Sequence, residues 1–380
     1  SVPLPAIGAI VMRSILLIFL LVNVARAEET NPWRKLFPSP PQADVVLQTP
    51  QVTVEKPSAP IVDAIPDHIL RSNERFFTLN IENDKFGSGY DRDYTNGLRL
   101  TWFNVGADQP FYVDWIDRLV PTFEVNKTTS SYFSFGHNLY TPSDIDRYTL
   151  DTRDRPYAAF VYGSAGVSTI TDRHMDDTEL TLGWIGPSAQ GEFIQDKFHR
   201  LIHADYQPHG WKYQLRDEPA VMLSWERSWP AYYTADIGKN LHARFAPHAG
   251  LTLGNVYTYA NAGFIIDLTP ANLRWQTQPV RVRPAIPGSG YFEYTDDHGW
   301  MAFLGYDARL MARNIFLDGN TWKDSHRVDK RPFVHDIALG AAYNHKNYRI
   351  SYTVNWRSRE FEGPLANSSS FGAVGISYRF

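Results

Sequence analysis

Residues 81–100, IENDKFGSGYDRDYTNGLRL, place several oxygen-bearing side chains in and beside one glycine-rich turn. Asn83 and Asp84 end the first alternating run, and Thr95 opens the second. Carboxylate, amide and hydroxyl oxygens are suitable ligands for Ca²⁺, which takes about 6–8 of them. A histidine beside such an ion can deprotonate water, while the ion polarises an ester carbonyl. The turn therefore predicts one half of a calcium-dependent hydrolytic site, although turn chemistry alone also explains an Asn-Asp pair.

The other half of such a site is predicted on a helix over residues 188–203, SAQGEFIQDKFHRLIH. Ile194, Phe198 and Leu201 form its apolar stripe, whereas Gln195 and His199 lie four residues apart on another face. Asp205 follows in the exit loop. The general base would be His199, with a purely structural histidine as the plain alternative.

The elements that must position these residues are β-strands. In YRISYTVNWR, residues 348–357, apolar and aromatic side chains alternate strictly with polar ones, which is the pattern of a strand with two different faces. The final run, GAVGISYRF, alternates in the same way and ends on an aromatic residue. We predict about twelve strands, near 76–84, 94–105, 131–138, 157–169, 177–186, 213–228, 240–253, 257–268, 299–313, 333–344, 347–358 and 370–380.

Composition and the N-terminal segment indicate where such strands would lie. Aromatic residues make up 14% of the 380-residue chain, it has no cysteine, and its net charge of −4 argues against nucleic-acid binding. An apolar run after Met12-Arg13 ends in small residues and predicts a signal peptide over 1–27, cleaved after Ala27. Residues 28–73 are rich in proline and predict a flexible periplasmic linker. The fold class is therefore all-β, a transmembrane antiparallel β-barrel over residues 74–380 with a short rim helix in an extracellular loop.

An even number of strands puts both barrel termini in the periplasm and the 81–100 turn at the outer rim, together with the helix. Strand parity then points Asp84 and Thr95 into the lumen and Asn83 toward lipid, unless the strand end bulges. One feature fits poorly. Residues 269–298 form a long periplasmic connection, so either it packs as an ordered flap or the strand count is wrong by two.

Taken together, the motifs resemble the outer-membrane lipid A 3'-O-deacylase family, called the LpxR family. The matching pieces are NIENDKF, DRDYTNGLRLTW, LYTPSDI, DRPYAAFVY, LGWIGPSAQGEFIQDKFHRLI, GWKYQLRDEP, LDGNTW and the C-terminal strand. They recur in order from about residue 76 to 380, and their combination is specific although no single piece is.

The resemblance implies a twelve-stranded barrel in the bacterial outer membrane, with its site facing the cell exterior. The implied reaction is calcium-dependent hydrolysis of the 3'-linked acyloxyacyl ester of lipid A in lipopolysaccharide. His199 matches the catalytic histidine, and Asn83 a position that orients the ion or stabilises the oxyanion. Asp84 and Thr95 match calcium-site positions.

One position departs from the family pattern, because Asp205 stands where the family has a longer glutamate. Glu218, in RDEP, is the alternative ligand that could complete the metal site. Lys85 and Arg92 are candidates for contacts with the phosphates or sugars of the substrate. Protein partners are not predicted.

Two other functions remain open at this stage. A catalytically silent outer-membrane barrel, such as a porin, an adhesin or a structural protein, would share the scaffold but would not need a rim helix carrying His199. An esterase with a serine nucleophile would use Ser188, the only serine next to the helix, although GPSAQ lacks an adjacent histidine and acid.

Overall fold

Alternation of apolar and polar residues along the chain produces antiparallel strands in the computed structural model. The structure describes residues 74–84, 93–105, 129–171, 174–201, 208–230, 232–273, 276–292 and 295–380. The strands are β1 (Glu74–Asn83), β2 (Asp93–Val105), β3 (Ser130–Thr141), β4 (Ala158–Ile170), β5 (Met175–Ile185), β6 (Glu218–Ser228), β7 (Tyr233–Ile237), β8 (Leu241–Gly254), β9 (Tyr257–Pro270), β10 (Thr295–Asn314), β11 (Phe333–Lys346), β12 (Tyr348–Arg357) and β13 (Ser369–Arg379). The predicted signal peptide and linker lie outside the described residues.

Twelve of these strands close into an antiparallel barrel. Apart from β6 and β7, consecutive strands pair with each other. β1 pairs with β13, and β6 pairs with β8 over Met222–Ser228 and His248–Gly254. β7 is an extra strand that pairs with the first residues of β8. The predicted twelve-stranded barrel is confirmed, and β7 was missed because four residues that lie between β6 and β7 interrupt the alternation.

Two helices lie in the connections at the rim where β1 ends. α1 (Gly191–Leu201) joins β5 to β6, and α2 (Ile315–Asp318) follows β10. α1 is shorter than the predicted helix because Pro187–Ala189 forms a separate 3-10 turn, after which Gln190 takes a left-handed conformation with φ 59°. Likewise β6 begins later than predicted, since Trp211–Tyr213 is another 3-10 turn. Among the described residues, no helix is long and apolar enough to cross a membrane.

The two faces of the barrel wall have opposite chemistry. On β12, Tyr348, Ile350 and Tyr352 are exposed on the outside, whereas Arg349 and Ser351 are buried inside. The same alternation along β5 and β6 leaves large apolar side chains on the outer surface. A band of exposed aliphatic and aromatic residues around a polar interior is the pattern of a barrel that spans a lipid bilayer.

The outer end of the lumen is packed with apolar side chains rather than open. Phe316 of α2 is fully buried, and its ring stacks on Tyr140 with centroids 3.8 Å apart. Tyr257 contacts the same ring from β9, and Phe160 from β4. This interior differs from the water-filled channel that defines a porin.

The middle of the lumen holds a network of buried ion pairs. Arg309 contacts Asp307 and Asp336, each at 2.6 Å, and Arg357 contacts Asp336 at 2.8 Å. Each arginine has a carboxylate partner from the same or a neighbouring strand, which offsets the cost of burying these charges.

The connection between β9 and β10 turns back into the barrel. Its residues 276–292, the luminal segment, are mostly buried, and Gln276 bridges to Phe292 across its base. Arg283 of the segment contacts Asp177 at 2.6 Å. The predicted ordered flap is therefore confirmed, and the strand count did not need correction.

Replacing Phe316 with alanine tests whether the packed outer lumen stabilises the barrel. We expect Phe316→Ala to lower the free energy of unfolding by about 3–5 kcal/mol, because it leaves a cavity among aromatic rings. Urea unfolding in lipid vesicles measures the change. Trp322→Ala, at a side chain that is 55% exposed in the same connection, is the control, and an equal loss in both variants would contradict the interpretation.

Candidate functional site

Asn83 and Asp84 stand at the outer end of β1 and are almost completely buried, with 3% and 2% of their surfaces exposed. Alternation along β1 points Glu82 into the lumen and puts Asn83 on the outward-facing row with Phe77. Asn83 therefore lies on the lipid-side row, as its parity predicts, but it is covered. A buried amide at the outward-facing end of a strand, followed directly by a buried carboxylate, is an unusual combination that requires explanation.

Strand pairing identifies what lies beside Asn83. It pairs with Asn96 of β2, Asn96 pairs with Leu139 of β3, and Leu139 pairs with Ala159 of β4. Paired residues present their side chains on the same face, and neighbouring strands are about 4.8 Å apart. These four residues therefore form one outward row, along which Asn83 lies about 10 Å from Leu139.

The far end of that row is covered by the connection that carries α1. Leu139 and Ala159 pack with Ala189 and Trp211 in one buried cluster. His137 of β3 shares a hydrogen bond of 2.8 Å with the carbonyl oxygen of Ala189. The connection thus packs against the outside of the barrel wall, and not over the lumen.

Close packing fixes the face of α1 that meets the wall. A Cβ atom added to Gly191 would lie 2.6 Å from the Cβ of Ala159 and 2.5 Å from the ring of Trp211. One turn later Gln195 is buried and accepts a hydrogen bond of 2.8 Å from Trp211 Nε1. His199 occupies the next position of the same i, i+4 series. Its backbone belongs to α1, and its side chain lies outside the described residues.

The predicted inward orientation of Thr95 depends on regular alternation along β2, and the structure shows that this alternation is interrupted. The pairing of β2 with β3 shifts register between Tyr94 and Asn96, so Thr95 is the extra residue of a β-bulge. Tyr94 is buried among the lumen aromatics, where uninterrupted parity would point it outward. Parity counted from Arg99 is therefore wrong as a guide to Thr95, because the bulge interrupts the alternation. The side chain of Thr95 is outside the described residues.

The chain matches known outer-membrane proteins both in sequence and in fold. The family model described as outer membrane protein LpxR matches residues 51–380. The chain belongs to the LpxR family. Among solved structures, LpxR from Salmonella typhimurium matches with a TM-score of 0.65 and 19% identity, covering 80% of this chain and 99% of that one. The β domain of the Bordetella autotransporter BrkA matches with a TM-score of 0.37 and 9% identity, covering 81% and 98%. A search of curated proteins gave no match.

Membership of the LpxR family identifies the chain as an outer-membrane barrel protein and leaves the site to be argued from its residues. Lys85, Arg92 and Asp205 lie outside the described residues. Within the described ranges, no group of three or more His, Cys, Asp or Glu side chains has a metal-binding arrangement. The described donors, Asn83 and Asp84, are hard oxygen ligands of the kind that calcium takes.

Glu218 does not complete the site as the alternative ligand. Its side chain is buried at the start of β6, where one carboxylate oxygen accepts from Asn255 at 3.0 Å. The other accepts from the side chain of Asn320 and from the backbone N–H of Thr321. Glu218 thus ties two outer connections to β6, far around the barrel from β1. Ser188 is exposed in the turn before α1, and its N–H donates to Asp217.

Sequence reasoning missed three of the residues that dock α1, namely His137, Gly191 and Trp211, and it placed Gln195 on the face of His199 without assigning that face a contact. The available signal was the i, i+4 spacing of Gly191, Gln195 and His199, which marks one face of the helix. Nothing in the sequence indicates that this face meets the outer wall, because that depends on pairing between distant strands.

A cavity among the outer loops lies close to this connection, lined partly by Gly210 and Tyr213. Arg147 and Arg153 both donate to Asp151, at 2.5 and 2.8 Å. The hydrogen bonds from Arg153 hold the pKa of Asp151 well below its ordinary value. The three side chains form an ion-pair cluster within the loop.

Gly191→Ala tests the docking of α1 against the wall. Because the new Cβ would overlap Ala159 and Trp211, we expect the helix to loosen and trypsin to cleave after the exposed Lys197 and Arg200 roughly tenfold faster, the effect of about 1.4 kcal/mol. Gly163→Ala is the matched control, since its Cβ would meet only Ser134 O at 3.8 Å. Equal cleavage of both variants would show that close packing at Gly191 does not hold the helix.

Proposed function

We propose that this LpxR-family protein is an esterase that removes the 3'-linked acyloxyacyl chain of lipid A, with Ca²⁺ as its cofactor. The observation on which the proposal rests is the burial of Asn83 on the outward row beside the α1 connection, with the buried Asp84 next to it in the chain. A site on that side of the wall is open to an ester in the outer leaflet without passage through the lumen. The packed lumen disfavours the porin alternative.

Each site residue has a distinct role in the proposed reaction. His199 accepts a proton from water, which attacks the ester carbonyl carbon. Asn83 donates its amide N–H to the oxyanion of the tetrahedral intermediate. When the intermediate collapses, His199 returns the proton to the leaving 3'-oxygen, and the products are the free acyloxyacyl acid and a 3'-hydroxyl.

Asp84, Thr95 and Asp205 would hold the calcium ion. The buried Asp84 carboxylate supplies negative charge at the end of β1, which fits a hard cation. When bound, the ion supplies positive charge that polarises the ester carbonyl. Asp205 completes this set because Glu218 is engaged on the other side of the barrel. Lys85 and Arg92 would contact phosphates of the glucosamine headgroup.

The proposed orientation in the membrane depends on where the first and last strands of the barrel begin and end. The first residues of β1 pair with the last residues of β13, and the N–H of Phe380 donates to Arg75 O. The N-terminal and C-terminal residues of the barrel therefore lie at the same rim, and Asn83 lies at the opposite rim. With a signal peptide cleaved after Ala27 and export to the periplasm, the site would face the cell exterior.

Lipid A from cells that express the chain tests the reaction. We expect mass spectrometry to detect the loss of one 3'-acyloxyacyl group, and EDTA to abolish that loss. His199→Ala should lower the rate about 10²–10⁴-fold, because general-base catalysis contributes that much.

His298→Ala is the control for that experiment, since His298 is an exposed histidine at the opposite end of the barrel. An unchanged lipid A profile with folded, calcium-replete protein would refute the proposed function. Full activity of His199→Ala would refute the role of the histidine alone.

A further inference from the structure

The luminal segment reaches from the periplasmic rim to the back of the proposed site. The residues of the segment that contact the end of β1 are Arg281 and Val282, here called the segment tip. Arg281 Nε donates to Glu82 Oε1 at 2.6 Å, and the backbone N–H of Val282 donates to the same oxygen at 3.1 Å. Glu82 is the residue immediately before Asn83 and points to the opposite side of the wall.

The segment tip also braces the second strand of the hairpin. Val282 packs in one apolar cluster with Tyr94, the residue immediately before Thr95. At Gly97, an added Cβ would lie 1.8 Å from the Tyr94 hydroxyl and 3.2 Å from Val282, so the two side chains meet over this glycine. Tyr94 turns inward at the β-bulge, and its side chain packs against Val282 of the segment tip.

A third set of contacts fixes the segment tip itself. The guanidinium of Arg281 lies 5.7 Å from the ring centroid of Phe371, which in turn packs edge-on against Tyr94 at 5.0 Å. Arg281 Nη1 donates to Asn355 at 3.0 Å. Arg281 is 5% exposed and Glu82 1%, so this ion pair lies inside the protein and not at a wet rim.

We propose that Arg281 and Val282 are positioning residues for the site on the other side of the wall. They hold Glu82 and Tyr94 in the lumen, and thereby fix the outer ends of β1 and β2, from which Asn83, Asp84 and Thr95 are presented. The effect of these residues on the reaction rate rests on the proposed function. Their effect on the positions of the strand ends does not.

The physical reason lies in the buried charge of Glu82. Without Arg281, the carboxylate keeps two neutral donors among the described residues, the N–H of Val282 and the side chain of Asn80. An uncompensated buried carboxylate draws water or moves toward it, and the strand end moves with it. Catalytic groups tolerate such displacement poorly, because a shift of about 1 Å can cost roughly 10²-fold in rate.

The luminal segment offers a matched control at its other end. Arg349 of β12 is buried and donates to the carbonyl oxygens of Gly290 and Tyr291, at 3.3 and 3.1 Å. It anchors the same segment but does not contact Glu82 or Tyr94 in the described structure. Arg349→Gln therefore loosens the segment without removing the brace at the hairpin.

Hydrogen–deuterium exchange on the full chain in detergent micelles decides the proposal without an activity assay. In Arg281→Gln we expect amides of residues 80–84 and 94–98 to exchange at least tenfold faster than in the parent protein. Arg349→Gln should leave these amides within twofold of the parent rate. Unchanged exchange in a folded Arg281→Gln barrel, or equal acceleration in both variants, would overturn the proposal.

Two further variants keep the test decisive if Arg281→Gln does not fold. Arg281→Lys retains the charge and should recover most of the protection. The pair Glu82→Gln with Arg281→Gln removes both charges and should exchange more slowly than Arg281→Gln alone. Failure of both variants to restore protection would show that the ion pair is not what holds the strand ends.

Kinetics with lipid A in mixed micelles separate this inference from the proposed function. We expect kcat to fall at least tenfold in Arg281→Gln with KM changed less than threefold, and to change little in Arg349→Gln. A parent protein without deacylase activity would refute the proposed function, while faster exchange in Arg281→Gln would still support the brace. An active parent with unaltered exchange and kcat in Arg281→Gln would refute the brace alone.

Discussion

The bilayer leaves no water to satisfy backbone N–H and C=O groups, and closure of the sheet answers this constraint. The pairing of β1 with β13 joins the two ends of the barrel sequence and closes the ring, and β6 pairs directly with β8 past the extra strand. β7 lies outside the ring and pairs with β8 where β6 has already ended. β7 therefore pairs with the part of β8 that extends beyond the end of β6.

Closure creates an interior that must then be filled. Apolar rings around Phe316 occupy its outer end, and ion pairs around Arg309 and Asp336 occupy its middle. The luminal segment enters from the other rim and adds its own arginines to this network. Arg309 pairs with Asp336 on the neighbouring strand, and Arg281 and Arg283 pair with carboxylates on β1 and β5, so packing in the lumen ties the luminal segment to the wall.

The candidate site depends on this interior although it lies on the other side of the wall. A barrel strand has only two faces, and consecutive residues alternate between them. Glu82 and Asn83 are therefore coupled: any force that fixes Glu82 in the lumen also fixes the backbone that presents Asn83 on the outward side of the wall.

The sequence by itself determined the alternation of apolar and polar residues along the strands and the four-residue spacing along the helix. These patterns gave the barrel class, the twelve strands, the inward and outward faces of β12, and the hairpin and helix that bear Asn83 and His199. These features depend on neighbours two or four residues apart. Only the tertiary structure decided that the connection carrying α1 packs on the outside of the wall, that Thr95 sits in a bulge, that Glu218 braces other loops, and that residues 276–292 fill the lumen. Each of these depends on contacts between residues far apart in the chain, such as Arg281 with Glu82, and such contacts leave no period in the sequence.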